Sequence, residues 1–257
     1  MKNFAPTAFF FLLAICTSQA QQEKGIIGFT SWLNNWTEFK PNKSEYNEPT
    51  QIVTGTIAVD SKLFKKNVYL LMGNVYVTNK AKLTIEPGTV IICDAESKAA
   101  LVITKGASII AEGTETDPIV FTSSKSIRKA GDWGGILLLG EAPINKFGNS
   151  ASVNFDLDVN YASYGGTNPA SNSGILKYVR IEYAGAKIKG FGNHNALFLG
   201  GVGNQTTIES VMVSHSGGDS FEVFGGDVNL NKLISNKSSS NDFKFNYGAQ
   251  VNIKNSL

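Results

Sequence analysis

Residues 82–93 read Lys82-Leu83-Thr84-Ile85-Glu86-Pro87-Gly88-Thr89-Val90-Ile91-Ile92-Cys93. A short alternating apolar segment is followed by a Pro-Gly turn and then by a second apolar segment. About one coil later the order recurs. Ala107-Ser108-Ile109-Ile110 is followed by Glu112-Gly113 and then by Ile119-Val120-Phe121. Recurrence of strand, turn and strand suits stacked coils, in which each strand pairs with its equivalent in the next coil and alternate side chains share one long interior. Leu83 and Ile85, Leu101 and Ile103, and Ala107 and Ile109 are the expected interior residues. The phase is open near Val211-Met212-Val213, where a slip of one residue would exchange inside and outside.

The same rhythm extends in both directions. Val75 to Val77, Leu101 to Thr104, Ile136 to Leu139, Leu176 to Tyr183, Ala196 to Leu199, Ile208 to Val213, Phe221 to Phe224, Val228 to Ile234 and Phe243 to Phe245 are strand-like, and Gly73-Asn74 and Lys105-Gly106 are turn signals. No amphipathic run is long enough to supply regular helical crossovers, which argues against a layered α/β architecture. A β-sandwich also uses short strands and turns, so the repeat, rather than the strand content, favours an all-β, right-handed parallel β-helix.

The organisation reads as three parts. Residues 1–20 carry Lys2, the apolar run Ala8 to Ile15 and the small residues Ser18 and Ala20, the pattern of an export leader cut after Ala20. The apolar run is too short to span a bilayer, which takes about 20 residues. The alternative is a lipid-modified Cys16, which would make the protein an outer-membrane lipoprotein. Residues 21–60 mix Trp32, Trp36 and Phe39 with polar residues and form a linker or a cap over the open end of the next domain, and residues 61–257 form the solenoid. A secreted or cell-surface location follows.

The chain has 23 basic and 21 acidic residues, and loss of Lys2 with the leader would bring the net charge from +2 to +1. Such a balance offers no concentrated positive surface for nucleic acid. The mature chain holds no second cysteine to pair with Cys93, whose neighbours Ile91 and Ile92 suggest a buried structural thiol. No further segment has the length of a membrane-spanning helix.

The stretches Leu83–Ile91, Gly106–Thr114, Pro118–Ser123, Gly131–Gly140, Leu176–Gly185 and Phe221–Val228 together resemble a family of exported β-helix proteins from Bacteroidota, some of them carrying transporter names. The resemblance covers about residues 68–248 and implies a pectin-lyase-like solenoid without identifying a reaction. Larger members continue into further coils and a C-terminal secretion-sorting domain, whereas this sequence stops at Leu257, as a short member or an incomplete sequence would.

Several polar groups are candidates for function. Asp156, Asp158 and Asn160 at two-residue spacing would project together from an extended strand and offer oxygen ligands to calcium, the one cofactor considered; a solvated loop is the alternative. Asp219, Glu222 and Asp227 form a second acidic region as metal candidates, beside Gly225-Gly226, with solvated turns as the alternative. Tyr178, Arg180 and Glu182 are spaced to share an exterior strand face, where a lyase would need a base, although cross-strand pairing explains them too. His215, Ser216 and Asp219 contain the residue types of a hydrolytic triad without its geometry, and His194 between two asparagines reads as a polar turn. For carbohydrate, Trp133, Tyr161 and Tyr164 are candidate stacking rings, with a turn anchor covering the coil as the alternative for Trp133, and Asp132, Asn160 and Asn172 are candidate polar partners. Tyr183 is better explained by core packing. No catalytic residue is assigned. The leading expectation is a noncatalytic scaffold contacting an extracellular polysaccharide, with a polysaccharide lyase or hydrolase, or a purely structural spacer, as alternatives.

Overall fold

A computed structural model describes residues 31–257. The leader read over residues 1–20, with its cut after Ala20 or its alternative at Cys16, lies outside the described residues. So does the first part of the 21–60 segment.

The chain winds as a parallel β-helix of three sheets. The first stacks 51–54, 68–71, 90–93, 119–123, 179–182, 211–214 and 233–236. The second stacks 56–57, 74–77, 100–103, 135–139, 197–200, 221–224 and 243–246. The third stacks 61–63, 82–85, 108–112, 174–177, 207–209, 227–231 and 250–254. Every pairing in the solenoid is parallel, so strands at equal positions in successive coils lie in register.

Period-two alternation places one set of side chains inside. Leu83, Ile85, Leu101, Ile103, Ala107 and Ile109 are all buried in one continuous core, as their spacing predicts. Val211 and Val213 also face this core. Met212 points the other way yet is equally buried, because Glu38 donates its backbone N–H to the Met212 sulfur at 3.4 Å. The ambiguous apolar triplet therefore has an inner face and a covered outer face. Cys93 is in the core, where burial pushes its thiol pKa well up and leaves it un-ionised.

Tight corners join the sheets. Tyr178, Ser210 and Lys232 take φ values of 50°, 52° and 55° at equivalent positions between the third and first sheets. Single left-handed residues turn the strand without a loop, at about 1 kcal/mol or more each for a residue with a Cβ. At Gly174 no other residue serves: φ is 110°, and a Cβ would lie 1.8 Å from the Ile109 carbonyl oxygen. That contact fixes where the chain re-enters the solenoid after the excursion of residues 140–173.

Two segments cover the outside. Residues 140–173, pinned by a two-residue antiparallel pair between Ala151–Ser152 and Ser163–Tyr164, fold over the outer face of the second sheet. Ile144, Val153 and Tyr164 pack there on Tyr76, Val102, Leu137, Leu139 and Phe198 as a second apolar cluster. Residues 33–46 run along the outer face of the first sheet. Trp36 meets Tyr178 edge-on at 5.8 Å, Arg128 donates to the carbonyls of Pro41 and Ser44 at 3.1 and 2.9 Å, and the Tyr46 hydroxyl accepts from Arg180 at 3.0 Å. This part of the approach segment is thus held to the side of the coils by an aromatic contact and by hydrogen bonds from two guanidinium groups.

Candidate functional site

The parallel register makes the site. Phe198, Glu222 and Lys244 each occupy the second position of an apolar strand in the second sheet, and they are register partners across three successive coils. Their neighbours Leu197, Phe221 and Phe243 point inward, so these three point out. Phe224 lies two residues beyond Glu222 on the same face, 5.4 Å from Phe198 and 4.6 Å from Tyr247. The excursion supplies the opposite wall through Phe155 and Tyr164, at 6.2 and 5.7 Å from Phe198. Between them is a cleft of about 540 Å³ whose remaining lining includes Phe191, Asn193, Asn195 and Asp219.

A polar group crosses the apolar floor. Lys244 Nζ lies 2.6 Å from Glu222 Oε1 and 3.4 Å from Asp219 Oδ2. Asn195 Nδ2 donates to Glu222 Oε2, and Asn195 Oδ1 accepts the Asp219 backbone N–H at 3.0 Å. Asn241 donates its backbone N–H and its side-chain Nδ2 to Asp219 Oδ1 at 3.0 and 2.8 Å. Burial alone would raise Asp219, but hydrogen bonds from Ser240 and Asn241 and the charge of Lys244 hold its carboxyl below the usual range. Glu222 is raised, by burial first; Lys244 partly offsets this and Asp219 adds to it. Burial would lower Lys244, yet the two carboxylates raise it. The Lys244 side chain is 41% exposed, against 6% and 4% for the two acids, so the ammonium covers them toward the cleft. In this arrangement Lys244 stands between both acids and the cleft, which Asn193, Asn195 and the aromatic rings also line.

Of the expected acidic residues, the fold brings Asp219 and Glu222 together and leaves Asp227 apart, where it accepts from Asn204 Nδ2 at 3.0 Å. Asp156, Asp158 and Asn160 do not share a strand, since the stretch is bent and turned. The Asp158 carboxylate accepts from the backbone and side-chain nitrogens of Asn160, both at 2.9 Å, which closes a local turn. Among the described residues no three His, Cys, Asp or Glu side chains stand close enough to hold a metal ion.

The expected sugar contacts divide among several places. Tyr164 lines the cleft, and Asn160 and Tyr161 line a smaller recess of about 330 Å³ beside Lys80 and Lys105. Asn172 Oδ1 caps a turn by accepting the Gly174 N–H at 2.8 Å. Asp132 Oδ2 accepts from Ser123 Oγ at 2.6 Å and from the Lys129 N–H at 2.8 Å. Trp133 is corrected from an exterior platform to a core residue: it is fully buried, stacks on Phe121 at 6.4 Å and donates its indole N–H to the Glu182 carbonyl at 2.7 Å. Tyr183 is buried against His215 at 5.1 Å, in keeping with its packing explanation.

Ser216 Oγ donates to the Asp219 backbone carbonyl at 3.0 Å, and the buried His215 Nδ1 has no hydrogen-bond partner, so no relay joins the three residues. Arg180 is 3.4 Å from Glu182 and lies with it beneath Tyr46, away from the cleft. His194 is more than a polar turn. It is buried, packs at a tilt against Phe155 at 4.2 Å, and burial together with the charge of Lys98 lowers its pKa to about 4, which keeps the ring neutral near pH 7.

Lys244, Asn195, Phe155, Phe191, Phe224 and Tyr247 were not legible as site residues. A signal for one of them existed: aligning Leu197-Phe198-Leu199, Phe221-Glu222-Val223 and Phe243-Lys244-Phe245 places Lys244 next to the carboxylate of Glu222 at outward positions. No curated protein and no solved structure matches the chain. The family described as Pectate-lyase like beta helix domain matches residues 55–257, which spans all three sheets and the cleft. By that match the chain belongs to the pectate-lyase-like β-helix domain family.

Proposed function

We propose that the protein is a noncatalytic, secreted or cell-surface scaffold that holds carbohydrate in the cleft on the outer face of its second sheet. The observation that carries this reading is the pairing of aromatic walls with hydrogen-bonding groups fixed on the floor. Phe155, Phe224 and Tyr247 line the cleft with aromatic surface, and Asn193, Asn195 and Lys244 line it with polar atoms. Sugars present an apolar ring face and a rim of hydroxyls, and sites for small polar ligands combine apolar walls with a few placed polar groups. Retention without turnover is supported by Lys244, which lies across both acids at 2.6 and 3.4 Å.

The experiment is a broad glycan-binding survey with the folded protein, followed by product analysis of each retained polysaccharide. Binding with polymer length unchanged is the expected result. Reproducible cleavage abolished by Asp219→Asn or Glu222→Gln would replace this reading with that of a polysaccharide hydrolase or lyase. Failure to retain any glycan would favour a structural spacer.

A further inference from the structure

The charge arrangement of the cleft names the class of sugar, given the reading that a glycan is held there. The floor sets two carboxylates, Asp219 and Glu222, against one ammonium, Lys244. None of the lining residues is an arginine. A uronate carboxylate is best bound by a guanidinium fork or another unspent cation; here the lining cation is already paired twice. Glu222 Oε1 shares its cation with the second acid. It is buried, and Lys244 Nζ at 2.6 Å, itself shared with Asp219, is the cation that faces it. Phe155, Phe224 and Tyr247 line the same space, and Lys244 Nζ itself lies 5.8 Å over the Phe224 ring. Lys146 lies 4.3 Å over the Tyr247 ring, an interaction of the kind a ligand ammonium would make with the other rings.

We propose that the cleft selects glycans bearing protonated amino groups, binds neutral sugars less tightly and rejects uronates. The sugar ammonium sits beside the Asp219, Glu222 and Lys244 group, whose two carboxylates outnumber its one ammonium, while Lys244 stays across both acids. The ring of the sugar then rests on Phe155 or Phe224. No bond is made or broken.

The test is equilibrium titration of the intact protein with oligosaccharides of equal length built from glucosamine, N-acetylglucosamine, glucose and galacturonic acid. Affinity should fall from the glucosamine oligomer to the two neutral ones and again to the galacturonate, by about tenfold at each step, the scale of one partly screened unit charge near a protein surface. Raised salt should compress the series. Glu222→Gln should bring the amino and neutral oligomers to within about twofold of each other, and Asp219→Asn provides the same comparison if the first variant does not fold. Equal binding of amino and neutral sugars by the wild type, or tighter binding of galacturonate, would overturn the selectivity while leaving carbohydrate binding intact. Retention of none of the four would count against both.

Discussion

The molecule has two apolar clusters, and they are built on opposite principles. The inner one is a repeating stack in which each residue meets its equivalent in the neighbouring coil, from Leu63 to Leu233. The outer one, on the far side of the second sheet, joins solenoid residues such as Tyr76 and Phe198 to Val153 and Tyr164 of the excursion. The inner cluster is closed and needs no ligand. The outer one opens into the cleft at the coils where Glu222 and Lys244 replace apolar outward residues. Stability is thus concentrated in the repeat, and recognition in the place where the repeat is interrupted and then covered.

The comparison is broken most severely by placing a charge in the repeat. Ile109→Asp should destabilise the protein by about 5 kcal/mol or more, since the carboxylate would be buried without a partner. Phe155→Asp, in the cleft wall, should leave the solenoid's main urea transition in place and remove glycan retention. A shared loss of the main transition in both variants would show that the two clusters are one cooperative unit.

Trp133 and Phe224 sharpen the contrast with matched aromatic truncations. Trp133→Ala should cost about 3–5 kcal/mol, read from chemical denaturation, because it empties a filled core site. Phe224→Ala, at a half-buried position, should cost about 1–2 kcal/mol and lower glycan affinity without altering the circular dichroism spectrum.

His194 links the outer cluster to pH. Its folded pKa of about 4 lies below the ordinary value near 6.5, so in that window the unfolded chain binds the extra proton. Its contribution is complete above about pH 6.5 and is lost as pH falls toward 4, up to about 3 kcal/mol. Glu182 and Glu222 are shifted up, which gives them the opposite slope. The test is therefore the difference between wild type and His194→Gln across pH 4–7: the wild type should lose stability faster on acidification, and parallel curves would contradict a buried neutral histidine. The smallest effect belongs to Lys177, paired with Glu112 at 3.6 Å on the exposed third sheet, where Lys177→Met should change stability by about 0.5 kcal/mol or less in the same denaturation assay.

The two clusters also differ in how legible they were. Alternation and turn chemistry are local, so Leu83, Ile85, Ile103 and Ile109 reveal the inner stack directly. The Asp219 and Glu222 acidic pair was visible because it lies within four residues. Asn195 and Lys244 join it only through the coil register, and Phe155 arrives through an excursion whose return is dictated by Gly174. Trp133 misled for a related reason: a tryptophan among glycines suits an exposed turn as well as a close approach of backbones around a buried ring. In Gly131-Asp132-Trp133-Gly134-Gly135 the second applies. At Gly135 a Cβ would come 2.2 Å from the Asn195 carbonyl oxygen, so the glycine is there for packing around the indole's coil.

The most direct test of the central claim, that the covered outer face is the binding surface, is amide hydrogen exchange of the protein with and without a saturating retained glycan. The account predicts added protection in residues 152–155, 191–195, 219–224 and 244–247, with residues 82–85 and 107–110 unchanged. Protection that spared these cleft segments and appeared at 131–133 or at 250–254 would contradict it.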